Sequence, residues 1–244
     1  MNKHVVLALT LALGSSLAQA SGTHWGYTGH AGPEHWGELD PAYALCAGGK
    51  NQSPVDIVNS VEAELPPLDI AYTGQGNEIL NNGHTVQINF PAGSALMVSG
   101  HRFELKQVHF HTPSENHIDG HDFALEAHFV HADGDGNLAV LAVMFEEGAE
   151  NPALAKLWSE MPMKADERHD LKAAFDPAEL LPADHDYYRF NGSLTTPPCS
   201  EGVWWQVLKT PLTISKEQVE HFAHAVHGHN NRPIQMLNAR PTLK

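Results

Sequence analysis

The sequence predicts one mostly β domain with a few small helices at its periphery. Three observations carry that reading. Apolar segments are short and closed by Gly, Pro, Asn or Asp, as strands are. No repeat, low-complexity tract or linker divides the 244 residues, so one domain is the simplest organisation. Helical periodicity is confined to three stretches.

Taken in chain order, strands are expected at Val86–Phe90, Ala95–Val98, Phe103–Phe110, Phe123–Val130, Leu138–Phe145 and Val203–Val207. Asn81-Asn82-Gly83, Asp119-Gly120 and Asp133-Gly134-Asp135-Gly136 read as turns. Helices are expected over Asn151–Met161, Ala165–Ala174 and Lys216–Ala225. Pro152 suits the first helical position and Ser215 suits an N-cap.

Residues 1–20 read as a signal peptide, leaving a domain over 21–244. Lys3 gives a positive start, Val5–Leu13 an apolar run, and Ala18-Gln19-Ala20 a cleavage site. The expected location is the periplasm or the exterior, after cleavage near Ala20. The apolar run is too short to cross a bilayer, and no later stretch is long enough.

Apolar content is 42% and charged content 18%, which excludes a disordered chain. The net charge of −15 argues against nucleic acid, which needs a basic face. A small-molecule substrate fits better. Cys46 and Cys199 are the two cysteines. In an oxidising compartment they are a candidate disulfide; two free thiols or a thiolate metal site are the alternatives.

The informative segment is Leu105-Lys106-Gln107-Val108-His109-Phe110-His111. In a strand, Gln107, His109 and His111 share one face. A following strand, Leu125-Glu126-Ala127-His128-Phe129-Val130, puts Glu126, His128 and Val130 on one face. If the strands are neighbours, His128 adds a third imidazole to His109 and His111. Three imidazoles and one open position make a catalytic zinc arrangement. Metal histidines usually give their second N–H to an acceptor, and Gln107 and Glu126 stand two residues before His109 and His128 on the same faces. A His-x-His pair alone is a weak signal; the second strand with its acceptors makes it a strong one.

Two further segments bear on the chemistry. Glu115 follows in Thr112-Pro113-Ser114-Glu115, and Thr195 lies in Gly192-Ser193-Leu194-Thr195-Thr196-Pro197-Pro198-Cys199. A Thr195 hydroxyl donating to Glu115 keeps its oxygen as an acceptor only. It then selects a bound group that still carries a hydrogen.

These residues resemble the alpha-class carbonic anhydrases of the exported bacterial type. The similarity also takes in His24-Trp25-Gly26-Tyr27, Gly32-Pro33-Glu34-His35-Trp36, Asn51-Gln52-Ser53-Pro54-Val55-Asp56-Ile57, Asn81-Asn82-Gly83-His84, Ser193–Pro198 and Asn231-Arg232-Pro233. It covers nearly the whole chain after the signal peptide. It implies a large, mainly antiparallel, twisted central sheet, and reversible hydration of carbon dioxide to bicarbonate by zinc hydroxide. It implies Zn2+ on His109, His111 and His128, with Gln107 and Glu126 behind them. It implies that Thr195 and Glu115 orient the hydroxide and that His84 shuttles the proton. It implies that Tyr27, Asn82, Gln87 and Thr196 line the wet side, Thr196 also bordering the substrate pocket, and that Val130, Val140, Leu194, Val203 and Trp205 form an apolar pocket for carbon dioxide. A Cys46–Cys199 disulfide, sulfonamide and anion inhibitors, and a monomer or homodimer are implied in the same way.

Asn116, Phe190, Gln87 and Trp204 depart from common family patterns, and none removes a ligand. His221, His224, His227 and His229 are read as a solvated helix face and loop rather than a second metal site. His117, His121 and His131 are read as surface groups. The competing functions are an esterase side activity of the same site and a non-catalytic zinc-binding or buffering protein. A buffer has no need of the Thr195–Glu115 pair or the apolar wall.

Overall fold

The computed structural model describes residues 23–244, so the signal-peptide reading lies outside the described residues. The strands are β1 (Asp56–Ile57), β2 (Asp69–Ala71), β3 (Gly76–Asn81), β4 (Val86–Asn89), β5 (Ala95–Val98), β6 (His101–His111), β7 (His117–Ile118), β8 (Leu125–Ala132), β9 (Leu138–Glu147), β10 (Arg168–Phe175), β11 (Tyr187–Ser193), β12 (Glu201–Leu208) and β13 (Leu212–Ile214). The helices are α1 (Trp36–Leu39), α2 (Leu45–Gly48), α3 (Pro152–Trp158) and α4 (Lys216–Ala225).

One large sheet organises the chain along the path β10-β3-β4-β6-β8-β9-β12-β11. β5 joins β6 and carries β2, while β13 joins β9. Pairing is antiparallel except where β12 and β13 run parallel to β9. The expected large, mainly antiparallel sheet is therefore present, with a parallel element at β9. β1 and β7 form a separate parallel pair.

Strand alternation divides the core. Val108, Phe110, Phe129 and Leu141 point to the back, where Leu154, Leu157, Trp158 and Phe222 of α3 and α4 cover them. Val140, Ala142, Val203, Trp205 and Val207 point to the front with Val55 and Ile57. Asn151 caps α3 ahead of Pro152, and Ser215 and Gln218 form a capping box at α4.

Two expectations are corrected. The segment expected as a helix over Ala165–Ala174 is mainly strand: β10 pairs antiparallel with β3. Its Ala, Leu and Lys favour a helix, yet the open backbone edge of β3 prevails over local propensity. The resulting edge strand is nearly all polar or exposed, which protects a sheet edge. His131 is fully buried rather than a surface group. It shares the back face of β8 with Leu125, Ala127 and Phe129, and its Nε2 lies 2.9 Å from the Tyr72 hydroxyl. Strands β3 and β11, both polar in pattern, escape the apolar criterion.

Candidate metal centre and pocket

β6 and β8 set the site. Their register pairs His109 with His128, and β4 brings Gln87 opposite His109. His109, His111 and His128 each turn one ring nitrogen to a common point, within 4.8 Å of one another. Among the described residues no other group of metal-type side chains converges in this way. His221, His224, His227 and His229 are all exposed.

The second ring nitrogens are held from behind. His109 Nδ1 lies 2.8 Å from Gln107 Oε1. His111 Nδ1 lies 2.7 Å from the Asn230 carbonyl. Both oxygens can only accept, so each ring donates backwards and turns a lone pair to the front. His128 Nε2 is 2.9 Å from Glu126 Oε1, short enough for an ion-pair contact but not aligned as a hydrogen bond. Burial lowers all three imidazoles from their ordinary range, so they stay neutral. The His111 Nε2 lone pair is buried and has no hydrogen-bond partner, a costly arrangement for a group with nothing to bind. Three neutral imidazoles and this orphaned nitrogen fit a zinc ion.

Glu126 is fully buried, and both of its oxygens accept hydrogen bonds. Its Oε2 accepts from the Glu115 and Asn116 amides at 2.7 and 2.8 Å, and its Oε1 accepts from Asn116 Nδ2 at 2.7 Å. Burial pushes its carboxyl up while these donors hold it down. Glu115 lies 3.5 Å from His111 Nε2 through Oε2. Burial raises it to about 8, opposed by the Thr195 hydroxyl and the Arg232 N–H. The Thr195 hydroxyl is close enough to act on that carboxylate, although no aligned hydrogen bond joins Thr195 to Oε2, which has no partner. A divalent cation beside Glu115 would act in the same sense as Thr195.

Two sets of expected residues also come together. Tyr27, Asn82, His84, Gln87 and Thr196 line a cavity of about 140 Å³ with Gln107, His109 and His111. Val140, Val203 and Trp205 pack as one apolar cluster, with Val130 and Leu194 against it. Gly192 permits this packing, since a Cβ there would overlap Ser53 Oγ. Cys46 and Cys199 are disulfide-bonded.

Asn230, Asn116 and Arg232 are not marked as site residues by any local sequence pattern. Asn230 also anchors the Thr112 amide and the carbonyls of His84 and Phe110. Arg232 is buried; its guanidinium reaches Gln52, Ser53 and Cys46, and its amide donates to Glu115 Oε1 at 2.8 Å. Only the run Asn231-Arg232-Pro233 in the resemblance points to this region.

The family model described as eukaryotic-type carbonic anhydrase matches residues 31–244. The chain belongs to the carbonic anhydrase family. It is 49% identical over 234 residues to a carbonic anhydrase of Pectobacterium atrosepticum, covering 96% of each chain. It is 49% identical over 240 residues to the carbonic anhydrase of Neisseria gonorrhoeae, covering 98% of this chain and 95% of that one. Its fold superposes on the alpha-carbonic anhydrase of Thermovibrio ammonificans, solved with the inhibitor sulfanilamide, with a TM-score of 0.89 and 50% identity. That match covers 91% of this chain and all of the other. The protein is thus an enzyme of the alpha class of carbonic anhydrases, and the metal centre described above is the carbonic anhydrase family's candidate site in this chain.

Proposed function

We propose that the protein catalyses reversible hydration of carbon dioxide to bicarbonate and a proton, with Zn2+ held by His109, His111 and His128. One observation carries the reading: three neutral imidazoles converge and leave a buried His111 lone pair without a partner. A zinc ion in such a site supplies a water acidic enough to ionise near neutral pH, for which carbonic anhydrases are the type example.

The chain's own residues do the rest. Gln107 and the Asn230 carbonyl fix two rings, and Glu126 stands behind the third. Thr195 turns its O–H towards the nearby Glu115 carboxylate as a hydrogen-bond donor and keeps its oxygen as an acceptor towards the entering group, so it orients a nucleophile that still carries hydrogen. Val130, Val140, Leu194, Val203 and Trp205 offer the apolar surface that carbon dioxide requires. His84 takes the released proton out, with Tyr27, Asn82, Gln87 and Thr196 bordering its route. Burial and His24 lower the His84 imidazole while Asp166 raises it, which leaves it able to accept and release a proton.

The same reading extends to three properties. Sulfonamides and small anions bind at the metal; the Thermovibrio enzyme forms a complex with one such inhibitor, sulfanilamide. Export, with removal of residues 1–20, accounts for a disulfide in the mature chain. The chain acts as a monomer or homodimer.

Stopped-flow hydration of carbon dioxide by the wild type and His109→Ala, each with its zinc content measured, tests the proposal. Hydration that depends on zinc and disappears in the variant is expected. Zinc-replete wild type without hydration would overturn it and favour a zinc-buffering protein.

A further inference from the structure

One wall of the cavity carries an amide whose direction is set from outside. Gln87 lines the cavity across from His109. Its Nε2 donates to Asn89 Oδ1 at 2.6 Å. Asn89 in turn donates through Nδ2 to Glu78 Oε1 at 3.0 Å. Glu78 Oε2 lies 3.7 Å from the exposed Arg168 guanidinium on β10. The chain of contacts therefore runs Arg168, Glu78, Asn89, Gln87, across three strands and into the cavity.

Donors and acceptors in this relay can be ordered in one way only. A carboxylate only accepts, so Asn89 must face Glu78 with its NH2 group. Its oxygen then faces Gln87, which must answer with its own NH2. With its NH2 turned to Asn89, Gln87 leaves its carbonyl oxygen as the acceptor on the cavity side, beside the second hydrogen of that NH2. Asn82 is fixed in the opposite sense: its Oδ1 accepts from the His84 and Thr85 amides, leaving its NH2 free. The wall thus accepts near His109 and donates near His84.

We propose that Glu78, through Asn89, is a positioning residue that locks Gln87 with its oxygen towards the cavity and so stabilises a proton as it leaves the metal end. The inference rests on the proposed hydration activity and deepens it. A proton leaving the metal end travels on water as excess positive charge. A carbonyl dipole aimed at that charge stabilises it, whereas an NH2 group repels it. The acceptor must be fixed in advance, because reorienting it during each transfer would cost energy.

Glu78→Gln tests this. The new amide can donate to Asn89 and release both downstream amides to turn over. Glu78→Asp keeps an acceptor-only group, and Arg168→Gln removes only the exposed charge partner. In Glu78→Gln, kcat is expected to fall roughly threefold while kcat/KM for hydration stays within about 1.5-fold, since proton export limits kcat alone. Glu78→Asp and Arg168→Gln should stay near wild type. In parallel, NMR of the metal-free protein should show the Gln87 side-chain amide protons shifted and exchanging faster with solvent in Glu78→Gln, but not in Glu78→Asp. Unchanged Gln87 amide signals in Glu78→Gln, an unchanged kcat, or equal losses in kcat and kcat/KM would overturn the proposal. The NMR readout is independent of turnover. Absent hydration in the wild type would sink the activity and with it the kinetic role, while the Gln87 signals would still report the lock.

Discussion

His84 lies flat on Trp25, with ring centroids 3.7 Å apart and planes 5° from parallel. The stack sits at the cavity edge, where Tyr27 meets the His84 ring edge-on. Burial is the first cause of the lowered His84 imidazole, followed by His24, with Asp166 acting the other way. Trp25→Ala opens that ring to solvent and should raise the His84 pKa, read by NMR titration of its ring proton. The pH profile of kcat in weak buffer should move up with it. A pKa that stays or falls would show that burial by Trp25 is not the cause.

His131 predicts an acid-dependent loss of stability. Burial lowers it from the ordinary 6.5 to about 4. As pH falls below 6.5 the unfolded chain takes up a proton that the folded chain refuses until about 4. Its contribution is therefore complete above 6.5 and lost as pH falls towards 4, by about 3 kcal/mol. Tyr72→Phe/His131→Phe removes both partners of the contact. Urea unfolding of this double variant between pH 7 and 4.5 should show a flatter slope than wild type. Parallel slopes would exclude His131 as the titrating group.

Gln206 predicts a stabilising substitution. It is fully buried on β12, and neither its Nε2 nor its Oε1 has a partner. An unpaired buried amide costs more than an apolar group of similar size. Gln206→Met should raise stability by about 1 kcal/mol with an unchanged urea m-value. A lower midpoint would mean that the amide is satisfied in solution.

The disulfide predicts a large cost on removal. Cys46 and Cys199 are 153 residues apart, so the cross-link restricts most of the unfolded chain. Cys46→Ser/Cys199→Ser should lose about 5 kcal/mol by loop entropy. The m-value should rise as the unfolded state expands. A loss below about 1 kcal/mol would place the benefit elsewhere.

Much of the site is legible in the sequence because it is local. His109, His111, Gln107, Glu126 and His128 sit on two neighbouring strands close in sequence, with only β7 between them, and alternation alone assigns their faces. Expected strands such as Val86–Phe90 and Leu138–Phe145 lie within two residues of β4 and β9, since alternating or continuous apolar runs mark buried strands. Distant partners decide the rest. β10 exists because β3 needs an edge neighbour. His131 reads as a surface group when its neighbours are weighed as a hairpin end, yet it continues the core-facing alternation of β8. Asn230 and Arg232 act through backbone groups and a buried guanidinium, and no local pattern reveals a carbonyl aimed at a ring 119 residues earlier.

That carbonyl has a consequence in time. Asn230 holds the ring of His111 and, through its side chain, the carbonyl of His84, so the two ends of the proposed proton path share one tether near the end of the chain. His109, His111 and His128 all precede Asn230 in the chain. Without it, His111 lacks the contact that selects its tautomer. Loosening of the segment around Asn230 therefore releases the ring of His111 and the turn at His84 at the same moment.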